Sequence, residues 1–291
     1  MQSSVPEHAQ SHPFQRSGLA QLSDLATQEW QASFLQLETH QAQFLSKESE
    51  FRSADYKWPR DPLHTWSRLW EYPYAYHHLE RLRTEWREDR APRIVDLGSG
   101  VTFFPFSLAR LGYRVTCADI DPVCVTDIPR AARAVTATPG SVDACLIQGD
   151  RLPFADGEID ALYCISVLEH IPNPEQTLSE ISRILKPGGL FILTIDLDLR
   201  GDSEIGVGPH RKLVPAIETC FEYECHDATV HPANVLASDN GPLRWPYESG
   251  LSGALLRAKQ MVKWLLGRTH HPLLPFRLAV QAFALSKRVE A

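Results

Sequence analysis

No run in this sequence reaches the roughly 18 apolar residues that a membrane-spanning helix needs. The most apolar late stretch, Pro272 to Leu285, is broken by Arg277. The N-terminal stretch MQSSVPEHAQSHPF has no basic segment followed by an apolar core, so no secretory signal is expected and a cytoplasmic location is the default. Excess positive charge is also missing. The formal net charge is −7, a poor prior for a broad electrostatic footprint on nucleic acid or anionic membrane, although a local basic patch is compatible with it. Neither partner is expected. A disulfide framework is not expected either. Four of the cysteines (Cys117, Cys124, Cys145 and Cys164) lie within or beside apolar runs, where a free thiol behaves as a small buried hydrophobe. Cys220, Cys225, His226 and His231 cluster in sequence, but their spacing fits no common zinc pattern, and no metal is expected. There is no internal repeat and no long low-complexity segment.

What is present falls into three textures. Residues 1 to about 90 are polar and glutamine-rich, then aromatic. Leu22, Leu25, Trp30, Phe34, Leu35, Leu37, Phe44 and Leu45 recur at helical spacing and predict one or two amphipathic helices. The aromatic run from Tyr56 ends in a further helix leading to Trp86. From Pro92 to about Asp198 short apolar runs alternate with helical segments. Strands are predicted at Arg93–Leu97, Arg114–Asp119, Ala144–Gln148, Ile159–Ile165 and Leu190–Asp196, with helices at Phe104–Leu111, Val123–Val135 and Pro174–Leu185. That alternation means an α/β fold, a doubly wound and mostly parallel sheet covered on both faces. The tail predicts a helix at Lys212–Cys220, a strand at Phe221–Val230, an amphipathic helix near Ala254–Leu266 and a final strand in FRLAVQAFALSKR. The organisation is therefore an N-terminal helical and aromatic extension over residues 1–90, and a core over 91–291 with an insertion at about 232–275.

The segment IVDLGSGVTFFPF, Ile94 to Phe106, carries an acid at a strand tip followed by two glycines. In an open parallel sheet, ligands bind beyond the carboxyl ends of the strands, where strand order reverses. Gly98 and Gly100 let a ligand approach the main chain and permit positive φ. A dinucleotide loop needs a third glycine, and that position is Phe103, where close helix–strand packing disfavours a bulky ring. An acid two residues before the first glycine instead suits a cofactor bearing an ammonium and a sulfonium. The strand in VTCADIDP ends at Asp119, a carboxylate able to accept two ribose hydroxyls. Ile120 is placed to lie on an adenine face, and Asp121 before Pro122 suits a helix cap.

Four motifs in order, VDLGSG, CADID, GDRLPFADGEIDALYCISVLEHI and LKPGGLFILT, make Ile94 to Ile195 resemble a class I S-adenosylmethionine-dependent methyltransferase of the small-molecule type. The resemblance implies a seven-stranded Rossmann-like methyltransferase fold. It implies S-adenosyl-L-methionine as cofactor, held by Asp96, Gly98, Ser99, Gly100, Asp119 and Ile120. Asp150, Arg151 and Leu152 would line the adenine pocket, and Ser166 and Val167 would flank the methionine part. The chain departs from the commonest loop at Thr102, where many members have a third glycine. LKPGG ends a helix and turns the chain into the next strand.

Methyl transfer from a sulfonium needs an aligned acceptor, and for an alcohol or phenol a general base. Glu169 and His170 past the fourth strand and His210 in GVGPHRK are candidate catalytic residues, with Asp196 a further one. Trp66, Arg68, Trp70, Tyr72, Tyr74, Tyr76, His77 and His78 are expected either to form an aromatic lid or to pack the extension on the sheet. Arg68 is a candidate partner for the cofactor's carboxylate. The expected activity is methylation of a small-molecule acceptor at oxygen or nitrogen. The alternatives are a non-catalytic cofactor-binding module, non-methyl chemistry with the same cofactor, and a nicotinamide dehydrogenase. A base-modifying nucleic-acid enzyme is disfavoured, because Ile165-Ser166-Val167-Leu168 stands where an Asn/Asp-Pro-Pro-aromatic run would be.

Overall fold

Short apolar runs separated by helical segments become strands and covering helices in the computed structural model. It describes residues 12–200, 205–226, 229–244 and 277–289, with 254–255, 258–259, 261–262 and 265–266. The extension supplies β1 (Gly18–Leu19), α1 (Gln28–Leu45), α2 (Glu48–Phe51) and α3 (Arg68–Glu85). The core follows as β2 (Arg93–Leu97), α4 (Phe104–Arg110), β3 (Arg114–Asp119), α5 (Pro122–Ala134), β4 (Ser141–Leu146), β5 (Ile159–Ile165), α6 (Pro174–Ile184), β6 (Leu185–Asp198), α7 (Val207–Cys220), β7 (Phe221–Tyr223) and β8 (Leu278–Lys287).

The strands β4, β3, β2, β5 and β6 are parallel neighbours in that order, and β8 runs antiparallel to β6. Strand order reverses between β2 and β5. Seven strands are predicted and, among the described residues, the sheet has eight, because the short β1 also pairs with β8. A two-residue strand such as β1 is too short to carry a periodicity. Other boundaries differ from expectation for local reasons. At the sheet edge β4 starts three residues early, at Ser141, because only Val142 of its residues is buried and its apolar signal is weak. The last strand of the parallel set begins at Leu185, since pairing passes from Ile159 opposite Leu185 to Ala161 opposite Leu190 across the LKPGG bulge. The predicted strand Phe221–Val230 is only the three residues of β7. Much of the 232–275 insertion lies outside the described residues, as does part of the helix predicted near Ala254–Leu266.

One face of the sheet is covered by α3, α4 and α5 together with the extension, and the other by α6 and α7. The extension is not a separate layer. Phe14, Leu37, Phe44, Phe51, Trp70 and Tyr74 join Phe103, Phe104 and Phe106 in a single buried cluster. Pro73 sits inside α3. It has no N–H for the carbonyl of Leu69 four residues back. The indole Nε1 of Trp30 in α1 donates to that carbonyl at 2.9 Å. A residue that would break an isolated helix here creates the docking point for its neighbour.

Candidate active site

The two loops at the reversal point face each other. After β2, Gly98 (φ +73°) and Gly100 (φ +54°) are both left-handed, a conformation that costs an ordinary L-residue about 1–2 kcal/mol. A Cβ on Gly98 would stand 2.5 Å from Cγ1 of Val167, which follows β5. Gly98 therefore answers two demands at once, a backbone angle and a close approach. The Gly98 amide bonds the Ala118 carbonyl at 2.8 Å, and the Gly100 amide donates to Oδ2 of Asp119 at 2.9 Å. The Asp121 amide donates to Oδ1 of Asp119 at 2.9 Å. Each Asp119 oxygen thus takes one backbone N–H and keeps further acceptor capacity. Asp121 caps α5 through Val123 N–H at 2.9 Å. Ile120 points into solvent with 76% of its surface exposed, unusual for isoleucine beside a cleft.

Asp96 is buried on the same side. Burial pushes its carboxyl up to about 8, with the Tyr163 hydroxyl alongside and Arg68 opposing the rise and Asp119 adding to it. An acid with a raised folded-state pKa is protonated at low pH in both states. It costs the fold increasingly as pH climbs from the ordinary value of 3.8 through about 8,. Asp96→Asn is therefore expected to flatten the fall in stability across that window, measured as denaturant midpoints of both proteins at a series of pH values. Parallel pH curves would refute the assignment.

After β5 the chain turns at Ser166, whose φ of +46° is the only left-handed non-glycine among the described residues. Such strain costs on the order of 1–3 kcal/mol and persists only where surroundings hold it. Here the Ser166 amide bonds the Thr194 carbonyl at 3.0 Å, and Ser166 Oγ donates to Oε1 of the fully buried Glu71 at 2.6 Å. Arg68 Nη1 donates to Ser166 Oγ at 2.8 Å and pairs with Glu71 Oε2. Burial works against the Arg68 charge, but Glu71, Tyr72 and Asp196 outweigh it and hold the guanidinium above its ordinary range. One face of α3 (Arg68, Glu71, Tyr72) thus reaches the reversal point, and Tyr72 stacks on Phe104 at 4.7 Å.

Glu169 lies in the 3₁₀ turn Leu168–His170 and accepts the Asp196 amide at 3.0 Å. Burial first, then the charge of Asp196, push its carboxyl well up. His170 is exposed on the same turn. His210, on α7, is engaged with Gln281 of β8 at 2.6 Å. Ser99 turns its hydroxyl to the Gly100 carbonyl at 3.0 Å. Asp150 and Arg151 are exposed in a turn, while Leu152 is buried with its amide bonded to Glu180 at 3.0 Å. The Leu152 amide is therefore already committed.

Most of the aromatic run has a different task. Trp70 Nε1 donates to Asp24 at 2.7 Å, Tyr74 to the Arg16 carbonyl at 2.9 Å, and His78 Nε2 meets the Phe14 carbonyl at 2.8 Å. These buried residues bind the first part of the extension, residues 14–24, to α3.

Residues 95–193 match the family of methyltransferase domains. This segment belongs to the class I S-adenosylmethionine-dependent methyltransferases. An uncharacterized methyltransferase of Mycobacterium sp. (strain JLS) is 33% identical over 116 residues, covering 39% of this chain and 43% of that protein. The chain thus spans about two fifths of the length of that relative. A ubiquinone biosynthesis O-methyltransferase of Pseudomonas aeruginosa (strain UCBPP-PA14) is 23% identical over 231 residues, 77% of this chain and 87% of that protein. Among solved structures, the cyclase SpnF aligns with a TM-score of 0.50 at 18% identity, over 94% of this chain and 100% of that one. At that identity the likeness shows the fold alone.

The methyltransferase segment contains Gly98, Asp119, Ser166 and Glu169, but Arg52, Tyr56, Arg68, Glu71 and Asp196 lie outside it. Sequence reasoning missed three of these. Tyr56 Oη accepts the Val101 amide at 3.1 Å and Arg52 Nη1 donates to the Val101 carbonyl at 3.2 Å, so the extension holds both polar groups of a residue in the methyltransferase glycine loop. Glu71 offered one signal, its spacing of three from Arg68 on a helix. Tyr56 and Arg52 offered none.

Proposed function

We propose that the protein transfers a methyl group from S-adenosyl-L-methionine to the oxygen of a small-molecule acceptor. The observation that carries the reading is the bare main chain at Gly98–Gly100 closed onto Asp119 at the point of strand reversal. The residues fit the cofactor. The left-handed glycine turn stands beside a carboxylate with acceptor capacity for two ribose hydroxyls, and exposed Ile120 offers an apolar face for a purine. When bound, the cofactor supplies an already activated sulfonium methyl.

The chain's own part is positioning, which is worth on the order of 7–11 kcal/mol when the geometry is right. Asp96 and Asp119 supply carboxylates to the cofactor's ammonium and ribose. Arg68 faces its carboxylate, and Asp150 and Arg151 border the purine. Glu169, pushed up by burial and by Asp196, is suited to exchange a proton nearer neutral pH than an ordinary carboxyl, as removal of a hydroxyl proton requires. His170 and His210 are the other candidate bases. Transfer to oxygen is favoured over nitrogen by the Pseudomonas relative, which is named for O-methylation. The division into an extension over residues 1–90 that covers the site and a core over 91–291 belongs to the same proposal.

Asp119→Ala is expected to weaken S-adenosylhomocysteine binding by about ten-fold or more, the loss of one good charge-assisted hydrogen-bonding group. Calorimetry on the folded variant measures it. An unchanged dissociation constant would remove the ribose assignment, and wild-type binding of NAD in preference would remove the cofactor.

A further inference from the structure

We propose that the N-terminal extension sets the affinity for the cofactor by bracing Asp119, with Tyr56 as the positioning residue, a role that rests on the ribose reading above. Two backbone amides hold Asp119, that of Gly100 on Oδ2 and that of Asp121 on Oδ1, each at 2.9 Å. Turning the carboxylate means losing both bonds. Its direction is therefore only as fixed as the two chain segments that carry those amides. One is the glycine loop after β2, and the other is the start of α5.

The extension grips both segments. Val101, which follows Gly100, is buried. Its N–H goes to Tyr56 Oη at 3.1 Å, and its carbonyl accepts from Arg52 Nη1 at 3.2 Å. The Arg52 guanidinium lies 4.4 Å from the Tyr56 ring centroid and pairs with Glu48, so the two side chains also hold each other. Gly100 completes the fit. A Cβ there would stand 3.1 Å from Tyr56 Oη, so the bare position admits the tyrosine. On the other side, Ser53 donates its amide and its hydroxyl to the two oxygens of Asp127, at 2.7 and 2.5 Å. Asp127 is fully buried on α5, the helix that Asp121 caps. One short stretch, Arg52 to Tyr56, thus spans the two supports of Asp119. Apolar packing of Phe44 and Phe51 with Val101 would keep the stretch in place without fixing its rotation. Hydrogen bonds are directional and do fix it. A carboxylate already oriented spares the ligand the cost of ordering it.

The test is calorimetric titration of S-adenosylhomocysteine into four full-length proteins: wild type, Tyr56→Phe, Asp119→Ala and the double variant. Tyr56→Phe keeps the ring beside Arg52 and removes only the acceptor for the Val101 N–H. It is expected to raise the dissociation constant by about five-fold, the loss of one hydrogen bond. In the Asp119→Ala background the same change should cost less than about two-fold, because the carboxylate that Tyr56 orients is gone. Ser53→Ala, which keeps the amide bond to Asp127, should raise the constant by about two-fold, and again only while Asp119 is present. An equal effect of Tyr56→Phe in both backgrounds would overturn the proposal, since a residue that merely supports the fold weakens both alike. A lowered melting temperature with an unchanged dissociation constant would overturn it too. If wild type bound no S-adenosylhomocysteine, the cofactor reading itself would fall. Wild-type binding with an unresponsive Tyr56→Phe would remove the brace alone.

Discussion

Gly98→Ala is expected to destabilise the protein by about 2–5 kcal/mol and, where it stays folded, to cut S-adenosylhomocysteine affinity by more than ten-fold, from a single added methyl group. Two costs combine. The φ of +73° is a left-handed angle that alanine tolerates poorly. The new Cβ would also stand 2.5 and 2.7 Å from the two Cγ atoms of Val167, well inside van der Waals contact. The costs are separable. Val167→Ala removes both Cγ atoms, so the double variant should recover about 1–2 kcal/mol relative to additivity. Gly157→Ala is the matched control. Its φ is +61° and nothing lies within 4 Å of its added Cβ, so only the backbone cost of roughly 1 kcal/mol remains. Denaturant titrations of wild type, the two single variants, the double variant and Gly157→Ala measure each value. If Gly98→Ala behaved like Gly157→Ala, the two loops would not be in contact.

Glu71→Ala should be the second severe change, about 3 kcal/mol or more in unfolding free energy. Glu71 is fully buried and accepts from both Arg68 and Ser166. Its removal leaves a guanidinium without its counter-charge and a strained serine without one of its restraints. Arg68 retains 23% exposure of its side chain, so water recovers part of the loss and the lower end of the range for breaking a buried pair applies. Arg68→Ala combined with Glu71→Ala should cost less than the sum of the single changes, because an uncompensated charge no longer remains. Glu71→Gln keeps the shape and one acceptor, and should fall between. If Glu71→Ala lost under 1 kcal/mol, the link from α3 to the turn after β5 would carry no weight.

The outcome of sequence reasoning differed with the range of the interaction. Asp121 was recognisable as a cap because capping involves only its neighbours, and the observed bond runs two residues, to Val123. The boundaries of β2, β3 and β5 were legible because each is a short apolar run bracketed by polar or glycine residues. β4 was not, since an edge strand with one buried residue barely departs from a loop in composition. In α3 the aromatic residues drew attention, yet Trp70, Tyr74 and His78 face residues 14–24 while Glu71 and Arg68 face the reversal point. Composition could not say which side of that helix the sheet would meet. Pro73 is unfavourable inside a helix, and only the fold supplies the Trp30 indole that takes up the Leu69 carbonyl it leaves unpaired.

Local backbone physics in this chain decided the order of strands and helices and the left-handed glycine turn, because periodicity, capping and φ preferences act over a few residues. Docking decided which groups meet across the reversal point. Glu71 and Ser166 are 95 residues apart, and their bond exists only because α3 packs on the sheet in one orientation, held there by Trp30 from α1. No local propensity encodes that rotation, since it is the sum of many apolar contacts spread over the whole buried cluster.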